Sequence, residues 1–293
     1  MSADVVWIGR VVVSGEQRHR VVRVRTAGGV PTQDDVAEEI DDPFWAAVPS
    51  TGGSAPGDPV ALAHSCAPKG LRAPLGELEP RPPVRPGKIV CVGRNYAAHA
   101  KERGNEVPAE PLLFTKPASS LLAAGAPLDL PRGFERIDME AELVVVIGRA
   151  GRNFAQSDAL DHVAGYTLGN DVSCRDYQKQ DKQWTRAKGF DGFAPLGPFV
   201  RLVAPGTAPP PELRVQGLVD GARKQDAAIA SMIFAIPTVL AYIAACMTLE
   251  PGDLVFTGTP EGVSALTPGC VTSVTSTGAA SGFDLGVLAT PVR

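Results

Sequence analysis

The amino-acid sequence predicts an α+β fold with more strands than helices. Apolar runs rich in β-branched residues recur along the chain and are short enough to be strands. Helical patterns are few, and the longest covers Met232–Met247. A cluster of prolines near residue 80 separates a shorter first part from a longer second part. The 293 residues, 44% hydrophobic and 20% charged, have the composition of a globular protein.

Charge and cysteine content narrow the class of protein. A formal net charge of -4 gives no electrostatic reason to expect nucleic acid or an anionic membrane as a partner. The five cysteines are scattered and form no CxxC pair, which favours reduced thiols over a disulfide framework. The first ten residues lack the apolar core of a signal peptide, and the longest apolar stretch is too short to span a bilayer. The sequence therefore predicts a soluble, cytoplasmic protein.

The first 80 residues predict a small N-terminal module. Residues 5–13 and 21–25 are β-branched and predict two short strands, and residues 51–58 have the composition of a loop. A stiff connector follows, because four prolines lie between Glu79 and Gly87: Pro80, Pro82, Pro83 and Pro86. We therefore expect one domain over residues 1–80 and a second over residues 88–293.

The second domain alternates predicted strands with short helices. Ala141–Ile147 is a nearly continuous Leu/Val/Ile run typical of a buried strand. Other strands are predicted at 88–92, 166–172 and 254–256, and a short helix at 157–162. Ser173–Asp176 has the form of a capping box and predicts a helix start. The pattern Met232–Met247 predicts a helix that is either interrupted or started near Pro237.

Three carboxylates near strand ends indicate a metal site. In a strand, the i, i+2 spacing of Glu140 and Glu142 places both side chains on one face, which continues with apolar residues. Like charges there are costly unless a cation neutralises them, and carboxylates suit a hard divalent cation. Asp171 ends a predicted strand and is a third candidate ligand. The alternatives are an exposed strand end for the glutamates and a capping role for the aspartate.

The type of ligand favours particular metals. Three carboxylates that leave free positions suit Mg²⁺ or Mn²⁺. The chain has no HxxxH pattern and no Cys/His cluster, so zinc is not expected.

Several other polar residues are candidates for acid–base chemistry or anion binding. His99 and Glu102 have helical i, i+3 spacing, so that Glu102 orients His99 as a base or both lie on a polar surface helix. Arg175 and Gln178 have the same spacing, and they either bind substrate oxygens or pair with each other on the helix surface. The glycine-rich turn at 257–262 carries Thr259, and such turns are also common without function.

Seven ordered motifs resemble those of the fumarylacetoacetate hydrolase family. They span about residues 88–264, with a weaker resemblance to Arg293: Ile89–His99, Leu113–Pro117, Met139–Glu142, Gly165–Asp171, Ser173–Asp176, Trp184–Asp191 and Thr257–Val263. The resemblance implies a mixed β-roll with short flanking helices, a small N-terminal α+β module and a homodimer.

The resemblance also implies residue roles. The matching positions Glu140, Glu142 and Asp171 hold one Mg²⁺ or Mn²⁺ per subunit. His99 and Glu102 match a pair that lies on a lid and activates water, and Lys188 matches a lysine that faces the substrate. Further substrate contacts are expected at Arg94, Tyr96, Arg175, Gln178, Asp191 and Thr259.

The reaction predicted on this basis is hydrolytic cleavage of a C–C bond in an acylpyruvate-type 1,3-diketo acid, a small anionic 2-oxo acid. The same site would serve an oxaloacetate decarboxylase, or an isomerase or decarboxylase of a 2-hydroxy-diene-dioate, and family chemistry alone does not choose among them. A non-catalytic family member is a third alternative, which predicts the loss of a metal ligand or lid residue. None of those residues is missing.

Overall fold

The computed structural model describes residues 4–46, 58–102, 104, 106–278 and 282–293. The loop predicted at 51–58 lies outside these residues except for Asp58, whose side chain caps a helix by accepting from Val60 N at 2.9 Å. The α-helices are α1 Pro43–Ala46, α2 Pro59–Ser65, α3 Ala97–Glu102, α4 Arg175–Gln180, α5 Thr185–Lys188 and α6 Ile236–Cys246. The strands are β1 Val5–Val13, β2 Arg20–Thr26, β3 Val36–Ile40, β4 Arg72–Pro74, β5 Leu78–Arg81, β6 Ile89–Gly93, β7 Leu112–Lys116, β8 Leu121–Ala123, β9 Ile137–Met139, β10 Ala141–Ile147, β11 Val163–Asn170, β12 Ser173–Cys174, β13 Ala194–Leu196, β14 Phe199–Leu202, β15 Arg214–Val219, β16 Ala222–Ala228, β17 Leu254–Phe256, β18 Ser264–Ala265, β19 Val271–Thr277 and β20 Val287–Pro291.

Across the described residues, these strands form three sheets. The largest has 13 strands, and its main path runs β4-β3-β2-β1-β14-β11-β10-β17-β6-β7. A four-stranded sheet, β16-β15-β19-β20, and a three-stranded one, β12-β9-β18, complete the fold. Parallel pairs (β17 with β6, β8 with β13) occur among antiparallel ones, so the large sheet is mixed. The predicted mixed, strand-dominated α+β fold is confirmed.

Strand β10 lies at the centre of the large sheet and is buried on both faces. Leu143, Val145 and Ile147 pack into one hydrophobic cluster, and Val144 and Val146 pack into another. A strand buried on both sides has no solvated face, which explains the continuous apolar run in place of an alternating pattern. The bounds of this strand agree with those predicted from the sequence.

The N-terminal strands continue the large sheet. Strand β1 pairs antiparallel with β14, with Ile8 opposite Val200, and pairs at its other end with β5 from the proline-rich connector. Trp7, Val22 and Val24 belong to a further buried cluster on these strands. The division between residues 1–80 and 88–293 stays a prediction, because pairing within one sheet does not decide whether either part folds alone.

Local structure differs from the sequence-based expectation in two places. Ser173 does not cap a helix: it lies in β12, paired with Asp138 of β9, and its hydroxyl donates to the carbonyl of Asp171 at 2.9 Å. The helix begins at Arg175, and the Asp176 carboxylate accepts instead from the amides of residues 135 and 136. Strand pairing therefore outweighed the capping motif. Residues 156–162 form a 3₁₀-helix without a side-chain cap, a form suited to so short a segment.

The helix near Pro237 follows one of the two alternatives. Helix α6 begins at Ile236 and has Pro237 in its first turn, where the missing amide hydrogen costs nothing. Within the part of the chain that the structure describes, no helix is long and apolar enough to cross a membrane.

Candidate metal centre and active-site cavity

The three predicted carboxylate ligands lie together at one end of the β10–β11 pair. Glu140 precedes β10, Glu142 belongs to it, and Asp171 follows β11. The amide of Asp171 donates to the carbonyl of Glu140 at 2.8 Å, which fixes the two strand ends against each other. One carboxylate oxygen from each residue lies within 4.8 Å of the others, and all three side chains are buried. The antiparallel pairing thus brings together ligands that are 31 positions apart in sequence.

Three buried cations contact these carboxylates. Lys188 Nζ donates to Glu140 Oε2 at 2.7 Å and to Asp171 Oδ2 at 2.6 Å. Lys116 Nζ donates to Oδ1 of Asp171, and Arg175 donates to Glu140 Oε1 at 2.6 Å. Burial alone would raise the pKa of Glu140, but Lys188 and Arg175 outweigh it and hold that pKa far below its ordinary value. Glu140 is therefore ionised at neutral pH.

Glu142 differs from its neighbours because no cation pairs with it. It accepts a hydrogen bond from the amide of Gly258 at 2.7 Å, and no lysine or arginine among the described residues forms an ion pair with it. Burial, followed by the charges of Asp171 and Glu140, raises the pKa of Glu142 well above its ordinary value. Asp138, Glu140 and Asp171 each pair with at least one lysine or arginine, so among the described residues Glu142 is the carboxylate of this cluster that has no cationic partner.

This charge balance fits a divalent cation. A buried carboxylate without a positive partner is costly, and a metal ion supplies the charge that Glu142 lacks. All three converging ligands are oxygen donors, which hard divalent cations prefer. The triad could therefore hold a metal ion.

A polar cavity of about 240 Å³ opens over the triad. Nine of the residues predicted from the sequence line it: Arg94, His99, Glu140, Glu142, Asp171, Arg175, Gln178, Lys188 and Thr259. Phe114 and Trp184 form an aromatic wall, with the Lys188 ammonium 5.0 Å from the centre of the Phe114 ring. Arg94 adopts a positive φ of 58°, a conformation that is uncommon for a residue with a side chain and is often found at functional sites.

His99 lies on α3, as the helical i, i+3 spacing predicted, and faces the cavity. Its side chain is only 8% exposed, and its Nδ1 lies 3.3 Å from Glu102 Oε2. An ionised carboxylate only accepts hydrogen bonds, so this contact places the ring proton on Nδ1 and leaves Nε2 as an acceptor. Burial lowers the pKa of His99 more than Glu140 and Glu102 raise it, so the imidazole is neutral at pH 7. Glu102 also accepts from the amide of Gly262 at 3.1 Å.

Two predicted substrate contacts do not line the cavity. Tyr96 is buried, and its hydroxyl has no hydrogen-bond partner among the described residues. Asp191 is exposed and lies outside the cavity wall. Glu102 also lies behind the wall and reaches the cavity through His99. The roles of these residues stay predictions.

Three buried polar residues of the site were missed by the sequence-based prediction. Lys116 pairs with Asp171, and Asp138 accepts from Arg175 Nε at 2.7 Å. The sequence contains a feature that could have identified each of them. Lys116 lies within a matched motif, and Asp138 extends the alternation of Glu140 and Glu142 by one step. The third residue has no such feature and is described next.

Gln225 of β16 closes a hydrogen-bonded ring around the residue between the two glutamates. Its Oε1 accepts from Ala141 N at 2.8 Å, and its Nε2 donates to Thr259 Oγ1 at 2.8 Å and to the Pro260 carbonyl at 2.7 Å. The Thr259 hydroxyl completes the ring by donating to the Ala141 carbonyl at 2.9 Å. Gly217 makes room for the amide, since a Cβ there would lie 2.8 Å from Gln225 Oε1. The ring ties the ligand-bearing strand to the 257–263 turn.

Fold and site together define a class of enzyme scaffold: a mixed β-roll with a buried carboxylate cluster beneath a polar cavity, which contains a neutral histidine and a lysine. The sequence pattern of the family described as Fumarylacetoacetate (FAA) hydrolase C-terminal matches residues 88–293. The chain belongs to the fumarylacetoacetate hydrolase family, whose members are enzymes that include hydrolases, isomerases and decarboxylases.

Individual relatives agree with this assignment. A Dictyostelium discoideum protein named oxaloacetate decarboxylase, mitochondrial, is 43% identical over 204 residues, which cover 65% of this chain and 89% of that protein. Among solved structures, 2-hydroxyhepta-2,4-diene-1,7-dioate isomerase from Mycobacterium marinum matches with a TM-score of 0.77 and 32% identity over 98% of both chains. 5-Carboxymethyl-2-hydroxymuconate delta-isomerase from Mycobacterium smegmatis matches with a TM-score of 0.79 and 31% identity, again over 98% of both chains.

Proposed function

We propose that this protein is a divalent-metal-dependent hydrolase that cleaves a C–C bond in an acylpyruvate-type 1,3-diketo acid. One observation carries the proposal: a neutral, carboxylate-oriented histidine faces the same small cavity as a buried three-carboxylate cluster. Such a cavity pairs a proton acceptor with a site for an anionic, oxygen-rich substrate.

Glu140, Glu142 and Asp171 would hold the metal ion, Mg²⁺ or Mn²⁺, one per subunit. When bound, the ion would supply Lewis acidity and a template for the 2-oxo-carboxylate end of the substrate. Asp138 and Arg175 support this arrangement, because Arg175 bridges the Asp138 carboxylate and Glu140.

The proposed reaction begins with proton transfer to His99. Its Nε2 takes a proton from a water molecule as the water oxygen bonds to the distal carbonyl carbon. The bond between that carbon and the neighbouring CH₂ carbon then breaks, releasing a carboxylic acid and the enolate of pyruvate. Glu102 keeps Nε2 directed at the water and stabilises the imidazolium that forms. Transfer of the proton from the His99 imidazolium to the enolate carbon gives pyruvate and restores the neutral base.

Lys188 would stabilise the negative charge that develops on the enolate oxygen. Its ammonium is held among the carboxylates, and although burial alone would lower the pKa of Lys188, Asp171 and Glu140 raise it above the ordinary value. The side chain therefore stays charged at neutral pH, which charge stabilisation requires.

The remaining contacts assign different tasks to the predicted substrate-binding residues. The guanidinium of Arg175 donates hydrogen bonds to Asp138, to Glu140 and, at 2.7 Å, to Gln178 Oε1. Gln178 then keeps its amide NH₂ free to donate to a substrate oxygen. The Thr259 hydroxyl already donates to the Ala141 carbonyl, so the backbone amide of Thr259 is the better donor to a substrate carboxylate. Arg94 would add a positive charge at the cavity rim.

A second candidate function is decarboxylation of oxaloacetate, which the printed name of the 43% identical relative favours. It would use the same metal ligands and Lys188 to stabilise the same enolate, with carbon dioxide as leaving group in place of attack by water. Isomerisation of a 2-hydroxy-diene-dioate, the activity named for two structural neighbours, is the third. His99 and Glu102 favour the hydrolytic reaction, because they provide a base for water.

Steady-state turnover of acetylpyruvate and of oxaloacetate distinguishes these functions. Metal-stripped protein is assayed alone and after addition of Mg²⁺ or Mn²⁺. We expect metal-dependent loss of the diketone absorbance with one acetate formed per pyruvate. Higher efficiency on oxaloacetate, with no acetate formed from acetylpyruvate, would replace hydrolysis by decarboxylation.

We also propose that the protein is a cytoplasmic homodimer. Size-exclusion chromatography with light scattering should then give twice the chain mass of 30.6 kDa. A mass of one chain would contradict this proposal.

A further inference from the structure

A second polar cavity lies among the N-terminal strands, away from the metal-binding triad. It has a volume of about 260 Å³ and shares no lining residue with the cavity over the carboxylates. Five basic side chains line it, together with three acidic ones and His19. Its size suits a small ligand, since it lies just below the range of roughly 300–1,000 Å³ typical of drug-sized ligands.

Most charges around this cavity are already paired. Arg18 contacts Glu39 at 2.7 Å, and Lys69 pairs with Asp41. Arg20 lies 2.7 Å from Glu16 and 3.3 Å from Glu39.

Arg10 and Arg85 are the two exceptions: neither forms an ion pair among the described residues. The Asp42 carboxylate lies near Arg10, so these two arginines leave an excess of one positive charge at this cavity.

Arg10 is the buried member of this pair. It lies on β1 beside β5 and is only 6% exposed, although it lines the cavity. Its one hydrogen bond among the described residues runs from Nη2 to Nδ1 of the neutral His19, at 3.0 Å. Most of the five guanidinium donors therefore have no partner among the described residues, and they are accessible from the cavity. Arg85 and Arg81, both from the proline-rich connector, add further positive charge near His19.

We propose that this cavity binds a small oxyanion, a phosphate or a carboxylate, between Arg10 and Arg85. The planar guanidinium fork matches two oxygens of either group, and a charge-assisted pair of hydrogen bonds is the strongest polar contact available to arginine. The oxyanion would also neutralise the positive charge that remains beside Asp42.

Electrostatics supports this assignment. Burial lowers the pKa of Arg10, the neighbouring charge of Arg85 lowers it further, and Asp42 opposes both. Two like charges held together at a cavity are stabilised by an anion between them. The N-terminal module thereby gains a binding role that does not depend on the proposed reaction.

Calorimetric titration of the full-length chain with inorganic phosphate, and separately with succinate, tests the proposal. We expect saturable binding of one anion per chain, and the tighter of the two ligands identifies the source as a phosphate or a carboxylate. The Arg10→Met variant should bind at least about tenfold more weakly, the equivalent of one charge-assisted hydrogen bond. Arg18→Met is the matched control, because Arg18 also lines the cavity but is exposed and already paired.

Three results would each overturn the proposal. The first is that neither anion binds saturably, and the second is that binding is unchanged in Arg10→Met. The third is that Arg18→Met weakens binding as much as Arg10→Met, which would indicate nonspecific attraction. Should Arg10→Met fail to fold by circular dichroism, the exposed Arg85→Met variant decides the question. Binding that is unchanged in Arg85→Met would then contradict the site.

Discussion

At the scale of single residues, the central feature is the contrast between a histidine kept neutral and one carboxylate, Glu140, kept charged in the same small cavity. Burial is the largest single influence on both pKa values: it prevails at His99, whereas at Glu140 the charges of Lys188 and Arg175 together outweigh it. The uncharged form is therefore favoured at His99 and the charged form at Glu140, because the two side chains have different partners. A base and a cation site need this separation in order to operate at the same pH.

Replacement of His99 should abolish most of the hydrolytic activity. General-base catalysis contributes about 10²–10⁴-fold, so His99→Ala should lower kcat on acetylpyruvate by that factor. Because the neutral imidazole is the active form and its pKa lies below the ordinary value of 6.5, kcat/KM should rise with pH along an acid limb below 6.5.

The Glu102→Gln variant tests whether Glu102 raises or lowers the pKa of His99. The Glu102 carboxylate raises the pKa of His99, so its loss should move the acid limb to still lower pH while kcat falls with the orientation of the ring. A pH–rate profile measures both quantities. An acid limb displaced to higher pH, or a His99→Ala enzyme with undiminished hydrolysis, would contradict the assigned role.

Gln225 should matter for both stability and metal affinity. In Gln225→Leu the amide of Ala141 loses its acceptor, and each buried group left unsatisfied costs about 1–3 kcal/mol. Because Ala141 lies between two proposed metal ligands, Glu140 and Glu142, Mn²⁺ affinity should fall as well. Denaturant unfolding and calorimetry check the two effects.

Gln216→Leu provides the matched control for this change. Gln216 lies on the adjacent strand β15, and its side chain accepts only a long contact of 3.4 Å from Thr275. It should change neither quantity by more than about 0.5 kcal/mol. Equal effects of the two substitutions would mean that the ring does not position the ligands.

Sequence alone could predict the carboxylate cluster but not the ring of hydrogen bonds beside it. Glu140, Glu142 and Asp171 were predicted as metal ligands from alternation, strand ends and a matched motif, and the structure brings the three carboxylates together. Gln225 is 84 positions from Ala141 and lies among exposed polar residues of its strand, so no local pattern marks it. Gln225 reaches Ala141 only because the four-stranded sheet packs against β10 in the folded chain.

At the scale of elements, the 257–263 turn connects helix α3 to the strand that carries Glu142. The amide of Gly262 donates to Glu102 on α3, while Thr259 and Pro260 accept from Gln225. Gly262 has a φ of 91°, and a Cβ there would lie 2.0 Å from the carbonyl oxygen of Lys224. The turn can therefore approach β16 only with a glycine at this position.

Gly262→Ala should consequently displace the turn, destabilise the protein and lower kcat. The control is Gly221→Ala, which also has a positive φ, of 75°, but meets no atom within 4 Å. Both variants carry the backbone cost of about 1–2 kcal/mol for a side chain in this region, and only Gly262→Ala adds the clash. Thermal unfolding and turnover compare the two, and equal losses would exclude a special role for the turn.

The elements themselves were predictable where one signal dominated. The bounds of β10 follow from an apolar run that is buried on both faces, and α6 follows from a helical pattern with proline near its start. The capping motif at Ser173 predicted the wrong helix start, because pairing of β12 with β9 claims that residue. Strand pairing with a distant segment can override the local preference of a sequence for a helix start.

At the scale of the whole molecule, the N-terminal strands complete the sheet that carries the site. Val6 and Ile8 of β1 belong to the same buried cluster as Val144 of β10 and Phe256 of β17. We propose that residues 88–293 form the catalytic domain and that residues 1–80 form a module protecting the edge of β14. The connector was predicted from the prolines, and the division it implies stays a prediction, whereas the pairing between β1 and β14 had no local sequence signature.

Truncation tests this proposal. A chain that begins at Lys88 exposes the β14 edge and part of the shared cluster, so it should unfold at a lower temperature and associate through that edge. Unchanged thermal stability and monodispersity after truncation would show that the module does not protect the edge.

The measurement that tests the central claim most directly is calorimetric titration of Mn²⁺ into the full-length protein and its Glu142→Gln variant. The buried carboxylates predict one saturable site per chain, with affinity reduced at least about 100-fold in the variant, or about 2.7 kcal/mol. Glu261→Gln serves as the control, since Glu261 is exposed in the neighbouring turn and its replacement should leave the affinity unchanged. Equal Mn²⁺ affinity in the wild-type and Glu142→Gln proteins, or no saturable binding to either, would contradict the metal centre and the reaction built on it.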